Sequence, residues 1–148
     1  MTQTATNETT EVTMSREIAA SPERVFEIWT DPKQIARWFG LDGITNIGVT
    51  FEPRMGGSWQ SRARDPEGRE FSIEGAILAF EPARRLVQSW AHVDHEGVRG
   101  NETELEVLFE PAAGGCRVTL HHRKIRFTPE RFKEGWTQSL ARIADLAA

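Results

Sequence analysis

Ser21-Pro22-Glu23-Arg24-Val25-Phe26-Glu27-Ile28-Trp29-Thr30-Asp31-Pro32 is the stretch on which the architecture turns. Ser21 offers a side-chain oxygen to an orphan backbone N–H, and Pro22 suits the first helical position, so a helix starts here. Val25, Phe26, Ile28 and Trp29 recur at three- and four-residue spacing and give it one apolar stripe. Asp31-Pro32 ends that helix and opens a second short one carrying Ile35, Trp38 and Phe39. On the N-terminal side, Val12, Met14, Arg16 and Ile18 alternate with Thr13, Ser15 and Glu17, the period of a strand. On the C-terminal side six further strands are predicted, over 44–52, 58–64, 70–80, 85–93, 102–110 and 116–123. Gly56-Gly57, Asp65-Pro66-Glu67-Gly68, Glu81-Pro82, His95-Glu96-Gly97 and Gly114-Gly115 separate them with turn chemistry. Thr128-Pro129-Glu130 begins a last helix, with Phe132, Trp136, Leu140 and Ile143 on one stripe, running nearly to Ala148.

The order is strand, two short helices, six strands, long helix. Short connections between successive strands imply an antiparallel meander. Helices on one face of such a sheet make an α+β layer arrangement, here a curved seven-stranded antiparallel sheet around a long C-terminal helix. The polar residues 1–9 read as a flexible tail and 10–148 as a single domain. The 148 residues carry 18 Lys+Arg against 22 Asp+Glu, a net charge of -4, which argues against a nucleic-acid partner. No apolar run reaches the ~20 residues of a membrane helix. A lone cysteine, Cys116, excludes an intramolecular disulfide framework and a Cys-cluster zinc site, and the expected location is cytoplasmic.

Several strings, in this order and spacing, carry a family likeness: Ala20-Ser21-Pro22-Glu23-Arg24-Val25-Phe26, Trp29-Thr30-Asp31-Pro32, Arg37-Trp38-Phe39-Gly40 and Arg54-Met55-Gly56-Gly57-Ser58-Trp59. Arg85-Leu86-Val87-Gln88-Ser89-Trp90, Val118-Thr119-Leu120-His121-His122 and Gly135-Trp136 followed by Leu140 continue it. The chain thereby resembles the START-like (SRPBCC) superfamily with its helix-grip fold. Within it, the likeness is to the branch related to the C-terminal domain of the activator of the ninety-kilodalton heat-shock protein's ATPase. The resemblance implies an apolar-ligand or partner-binding domain, a few of whose relatives are cyclases, aromatases or hydrolases. The full eukaryotic activator has an additional N-terminal domain with no counterpart in these residues.

The space between sheet and terminal helix is the natural place for a pocket. Leu105, Val107 and Phe109 lie opposite Glu102, Glu104, Glu106 and Glu110, so the apolar set faces the helix and the carboxylates form a solvated face. His121 and His122 point to opposite sides of a strand and cannot share a metal. His122 faces inward, either as a polar contact for a ligand or as a core histidine satisfied by protein partners. Arg16, on the apolar side of the first strand, either anchors an anionic head or reaches the sheet edge with its head wet. Trp38, Phe39 and Trp59 flank a pocket mouth, while Trp90, Phe132 and Trp136 are further lining candidates. Cys116 reads as a packed residue rather than a nucleophile.

The expected function is non-catalytic binding of a small apolar or amphipathic molecule, with no metal or cofactor. The alternatives are a cyclase-, aromatase- or hydrolase-like enzyme polarising a carbonyl with His122 and Arg16, and a chaperone-associated protein-binding domain. Either a monomer or a homodimer is compatible with the sequence.

Overall fold

The chemistry of the helix starts is realised at atomic level. Ser21 Oγ accepts from the Arg24 N–H at 3.2 Å, and Asp31 Oδ1 accepts from the Lys33 N–H at 3.0 Å. The computed structural model describes residues 9–148, so the tail assigned to 1–9 lies, except for Thr9, outside the described residues. The elements are β1 (Thr10–Ile18), α1 (Pro22–Thr30), α2 (Pro32–Trp38), β2 (Thr45–Phe51), β3 (Ser58–Arg64), β4 (Glu70–Glu81), β5 (Arg85–Val93), β6 (Thr103–Ala112), β7 (Gly115–Ile125) and α3 (Pro129–Ala147).

The seven strands form one antiparallel sheet in the order β1-β7-β6-β5-β4-β3-β2. β1 and β2, successive along the chain, therefore occupy opposite edges, and α1 and α2 carry the backbone from one edge to the other. The sheet curves around α3, whose Trp136, Leu140 and Ile143 are buried against it. This is the helix-grip arrangement.

Alternation on β6 sorts the two faces as the period-two pattern requires. Leu105, Val107 and Phe109 are buried, whereas Glu106 looks outward and is held by Arg85 Nε at 2.7 Å and Arg123 Nη2 at 2.9 Å. The Arg85 guanidinium keeps the Glu106 carboxyl below its ordinary pKa. At the α1 end the core is solid. Phe26 meets Phe80 and Phe109 edge to face at 5.3 and 5.1 Å, and Trp29 meets Phe109 at 5.8 Å. Such ring pairs add about 0.5–1.5 kcal/mol each beyond their area.

Cys116 lies in this core, and burial pushes its thiol pKa up. A buried thiol is a poor nucleophile. Cys116 is therefore expected to resist an aromatic disulfide reagent in the native protein and to react stoichiometrically once urea unfolds it. Fast native labelling would place the thiol at the surface.

The β4–β5 ladder changes character at its middle. Register passes from Glu74–Ala91 to Ile77–Gln88, and between them Ser89 Oγ accepts from the Ala76 N–H at 2.9 Å. The Ser89 carbonyl accepts from Trp59 Nε1 at 2.8 Å. Gly75 permits this approach: a Cβ at that position would stand 1.9 Å from the Ser89 carbonyl oxygen.

Candidate functional site

At the other end of the molecule the grip does not close. A cleft of about 690 Å³ lies between β3–β5, the N-terminal half of α3 and the loop from Phe39 to Ile44. Its apolar wall combines Leu41 and Ile44 from that loop, Phe71 and Ile73 from β4, and Trp90 and Trp136 from β5 and α3. The volume suits a small organic molecule, since ligand pockets usually fall within about 300–1,000 Å³.

The loop wall is fastened to α3 by polar contacts. Arg142 Nη1 donates to the carbonyls of Trp38 at 2.9 Å and Gly40 at 2.6 Å, and Nη2 pairs with Asp42. Gln138 Oε1 accepts from the Asp42 N–H at 2.8 Å. One side of the opening is thus set by Gln138 and Arg142 of the helix rather than by loop composition.

Behind the wall stands His122. Trp136 Nε1, which can only donate, gives its hydrogen to His122 Nδ1 at 3.0 Å. The imidazole proton therefore sits on Nε2, which faces Thr103 Oγ1 at 2.7 Å, and that hydroxyl donates to the Trp90 carbonyl at 3.0 Å. His122 is completely buried, and burial lowers its pKa to about 3. Its neutral ring is a brace between two cavity-lining side chains, Trp136 and Thr103. With both nitrogens engaged it has neither a free lone pair for a general base nor a spare proton for an acid.

The five indoles form one connected group. Trp29 stacks on Trp136 at 5.8 Å and lies 5.1 Å from Trp38, and Trp90 is 5.5 Å from Trp136 and 5.2 Å from Trp59. Only Trp90 and Trp136 reach the cleft.

With this geometry in hand, the comparison with known families is decisive. The family described as Activator of Hsp90 ATPase homolog 1-like protein matches over residues 19–148. The chain belongs to this family. Solved structures repeat the START-like architecture. An AHSA1 protein from Silicibacter pomeroyi is 26% identical, covers 93% of this chain and 96% of its own, and superposes with a TM-score of 0.83. A Chromobacterium violaceum protein at 22% identity, covering 93% and 97%, gives the same TM-score, and one from Rhizobium leguminosarum at 19%, covering 95% of each, also gives 0.83. No curated protein matches the chain.

In this AHSA1-like domain the eight residues singled out from the sequence divide evenly. Phe39, Trp90, Phe132 and Trp136 line the cleft. Trp38 does not: it is buried, with Nε1 donating to the Ile28 carbonyl at 2.9 Å, and serves the packing of α1 on α2. Trp59 spends its N–H on Ser89 and sits behind Trp90 and Phe39. His122 faces inward as its register requires, but packs behind the wall instead of touching the space. Arg16 is exposed on β1, the edge strand beyond β7, and is not among the residues that line the cleft. The AHSA1-like pocket also uses Leu41, Ile44, Phe71 and Ile73, which sequence reading passed over. Leu41 and Ile44 immediately follow the Trp38-Phe39-Gly40 string, and Phe71 and Ile73 alternate along β4; those were the available signals. Among the described residues no three His, Cys, Asp or Glu side chains cluster as metal ligands, and no helix is long and apolar enough to cross a membrane.

Proposed function

We propose that this AHSA1-like chain is a cytoplasmic, single-domain binding protein that takes a small apolar or amphipathic molecule into the cleft between β3–β5 and α3 without transforming it. The observation carrying this reading is the wall itself: aromatic and aliphatic side chains around about 690 Å³, with His122 behind them braced on both nitrogens and His92 and His95 at the lining.

Ligand uptake is expected to shift the tryptophan emission, because Trp90 and Trp136 border the space, and to raise the unfolding temperature by mass action. A ligand at a hundred times its Kd adds about 2.7 kcal/mol. A screen of medium-chain alcohols, carboxylates and aromatic compounds by both readouts tests this. Gly135 faces the cleft, and a Cβ there meets Leu41 at a comfortable 3.8 Å. Gly135→Leu should therefore occupy the cavity and weaken binding at least about tenfold, while gaining up to about 1 kcal/mol of helix propensity. If no compound class moves either readout, or if Gly135→Leu binds as the parent does, the cleft is not the working site.

The family's description favours one other reading, in which the partner is a chaperone ATPase. Stimulation of an Hsp90-type ATPase that survives Gly135→Leu would select it.

A further inference from the structure

Inside the cleft the polar groups are already spent. Asn46 Nδ2 donates to the carbonyls of Ala36 and Phe39 at 3.0 and 2.9 Å, Thr103 Oγ1 lies between His122 and the Trp90 carbonyl, and Ser139 Oγ is shared with Gly40. A ligand's charged end would find no partner there and would lose its hydration, at a cost of several kcal/mol. Any charge it carries must stay at the rim.

The charged side chains around the opening are mostly committed. Asp65 accepts from the N–H groups of Glu67 and Arg69 and from Arg69 Nε. Glu70 pairs with Arg62 and Arg64. Asp94 Oδ1 takes the N–H groups of Glu96 and Val98. His92 lies against Phe71, ring centroids 5.2 Å apart at 28°. Among the described residues, His92 and His95, which also line the opening, carry no ion pair, and of the two arginines there Arg131 is the one without a partner. It lines the opening from the first turn of α3, it is exposed, and among the described residues its guanidinium makes no ion pair and no hydrogen bond. Arg131 and Asp94 both act on His92, whose pKa is lowered first by burial, with Asp94 opposing that and Arg131 adding to it.

Building on the binding reading above, we infer that the cleft's ligand is a monoanionic amphiphile, its apolar body against Trp90 and Trp136 and its carboxylate on Arg131 at the α3 side of the rim. The planar guanidinium fork matches a carboxylate.

The test uses three probes with one tail and different heads: decanoate, decan-1-ol and decyltrimethylammonium, titrated against the full chain and followed by tryptophan emission. Decanoate should bind about tenfold tighter than decanol, the usual scale for one charge-assisted contact at a partly wet site, and the cation should bind weakest. Arg131→Gln should cost decanoate about tenfold and leave decanol within about twofold, decanol also reporting that the cavity is intact. Arg131→Glu should invert the order in favour of the cation, and Lys133→Gln, an exposed cation outside the cleft, should change nothing. Equal binding of decanoate and decanol, or a preference that survives Arg131→Gln, overturns the anion assignment and leaves cavity binding standing. Failure of all three probes to bind overturns both.

Discussion

Gly75→Ala is expected to remove most of the domain's stability, because the added methyl has nowhere to go. Its carbon would stand 1.9 Å from the Ser89 carbonyl oxygen and 2.5 Å from the carbonyl carbon, both backbone atoms that no rotamer change can move. β5 must retreat from β4, and two contacts go with it: Trp59 Nε1 to the Ser89 carbonyl at 2.8 Å and the Ala76 N–H to Ser89 Oγ at 2.9 Å. Overpacking costs about 1–3 kcal/mol and each lost hydrogen bond about 1, so a loss of about 3–5 kcal/mol is expected. That is a large part of the roughly 5–15 kcal/mol that holds a domain folded. Urea unfolding of the two proteins measures it. Gly114→Ala, where a Cβ meets nothing within 4 Å, serves as the comparison and should stay within about 0.5 kcal/mol. A Gly75→Ala midpoint equal to the parent's would mean that the strands do not approach as described.

His122 sets the second large effect, and it depends on pH. The imidazole has an ordinary pKa of 6.5 and a folded pKa of about 3, lowered by burial. Unfolded chains take up a proton below pH 6.5 that the native state refuses, so stability is full above that pH. It then falls as pH drops toward 3, by up to about 1.4 kcal/mol per pH unit. Glu106, whose folded pKa is also lowered, works in the same sense but only near and below its ordinary 4.5, so from pH 6.5 to 5 the dependence comes from His122 together with His92, whose pKa burial also lowers. His122→Gln offers an oxygen to Trp136 and an N–H to Thr103 without titrating, and should reduce the slope in that window to the smaller share that His92 leaves. His122→Ala leaves a void and strands the Trp136 N–H, for a loss of about 3–4 kcal/mol at pH 7. The imidazole resonances should show no protonation down to about pH 4. A native titration midpoint near 6.5 would defeat this description.

The architecture was legible because each element carries a local cause. Ser21 and Asp31 cap helices, the β6 carboxylates alternate with Leu105, Val107 and Phe109, and turn residues mark every strand end, so the elements fell within about two residues of expectation. The site was legible only where the relevant geometry is local. Phe39, beside Gly40, and Phe132, on the first turns of the last helix, are placed by their own elements. Trp59 was not, because its inward direction is set by alternation, whereas the choice between lining and packing depends on the approach of Ser89 across Gly75. Nor was the role of His122. Period-two register turns it inward, but only the partners from β6 and α3 decide that it braces the wall. The clamp by Arg142 joins positions about a hundred residues apart and leaves no trace in local pattern.

The strand order also fixes when the fold can be completed during synthesis. β1 leaves the ribosome before the other strands, yet among the described residues its sole neighbour in the sheet is β7, with Ile18 beside Cys116 and Thr10 beside Ile125. Until that partner has been translated, the β1 backbone groups stay wet. α3, which follows β7, brings the residues that cover Trp29 and fasten Gly40. A nascent chain stalled before residue 115 has therefore made a meander with an open hydrophobic face, and completion is a late, long-range event of the kind that slows folding.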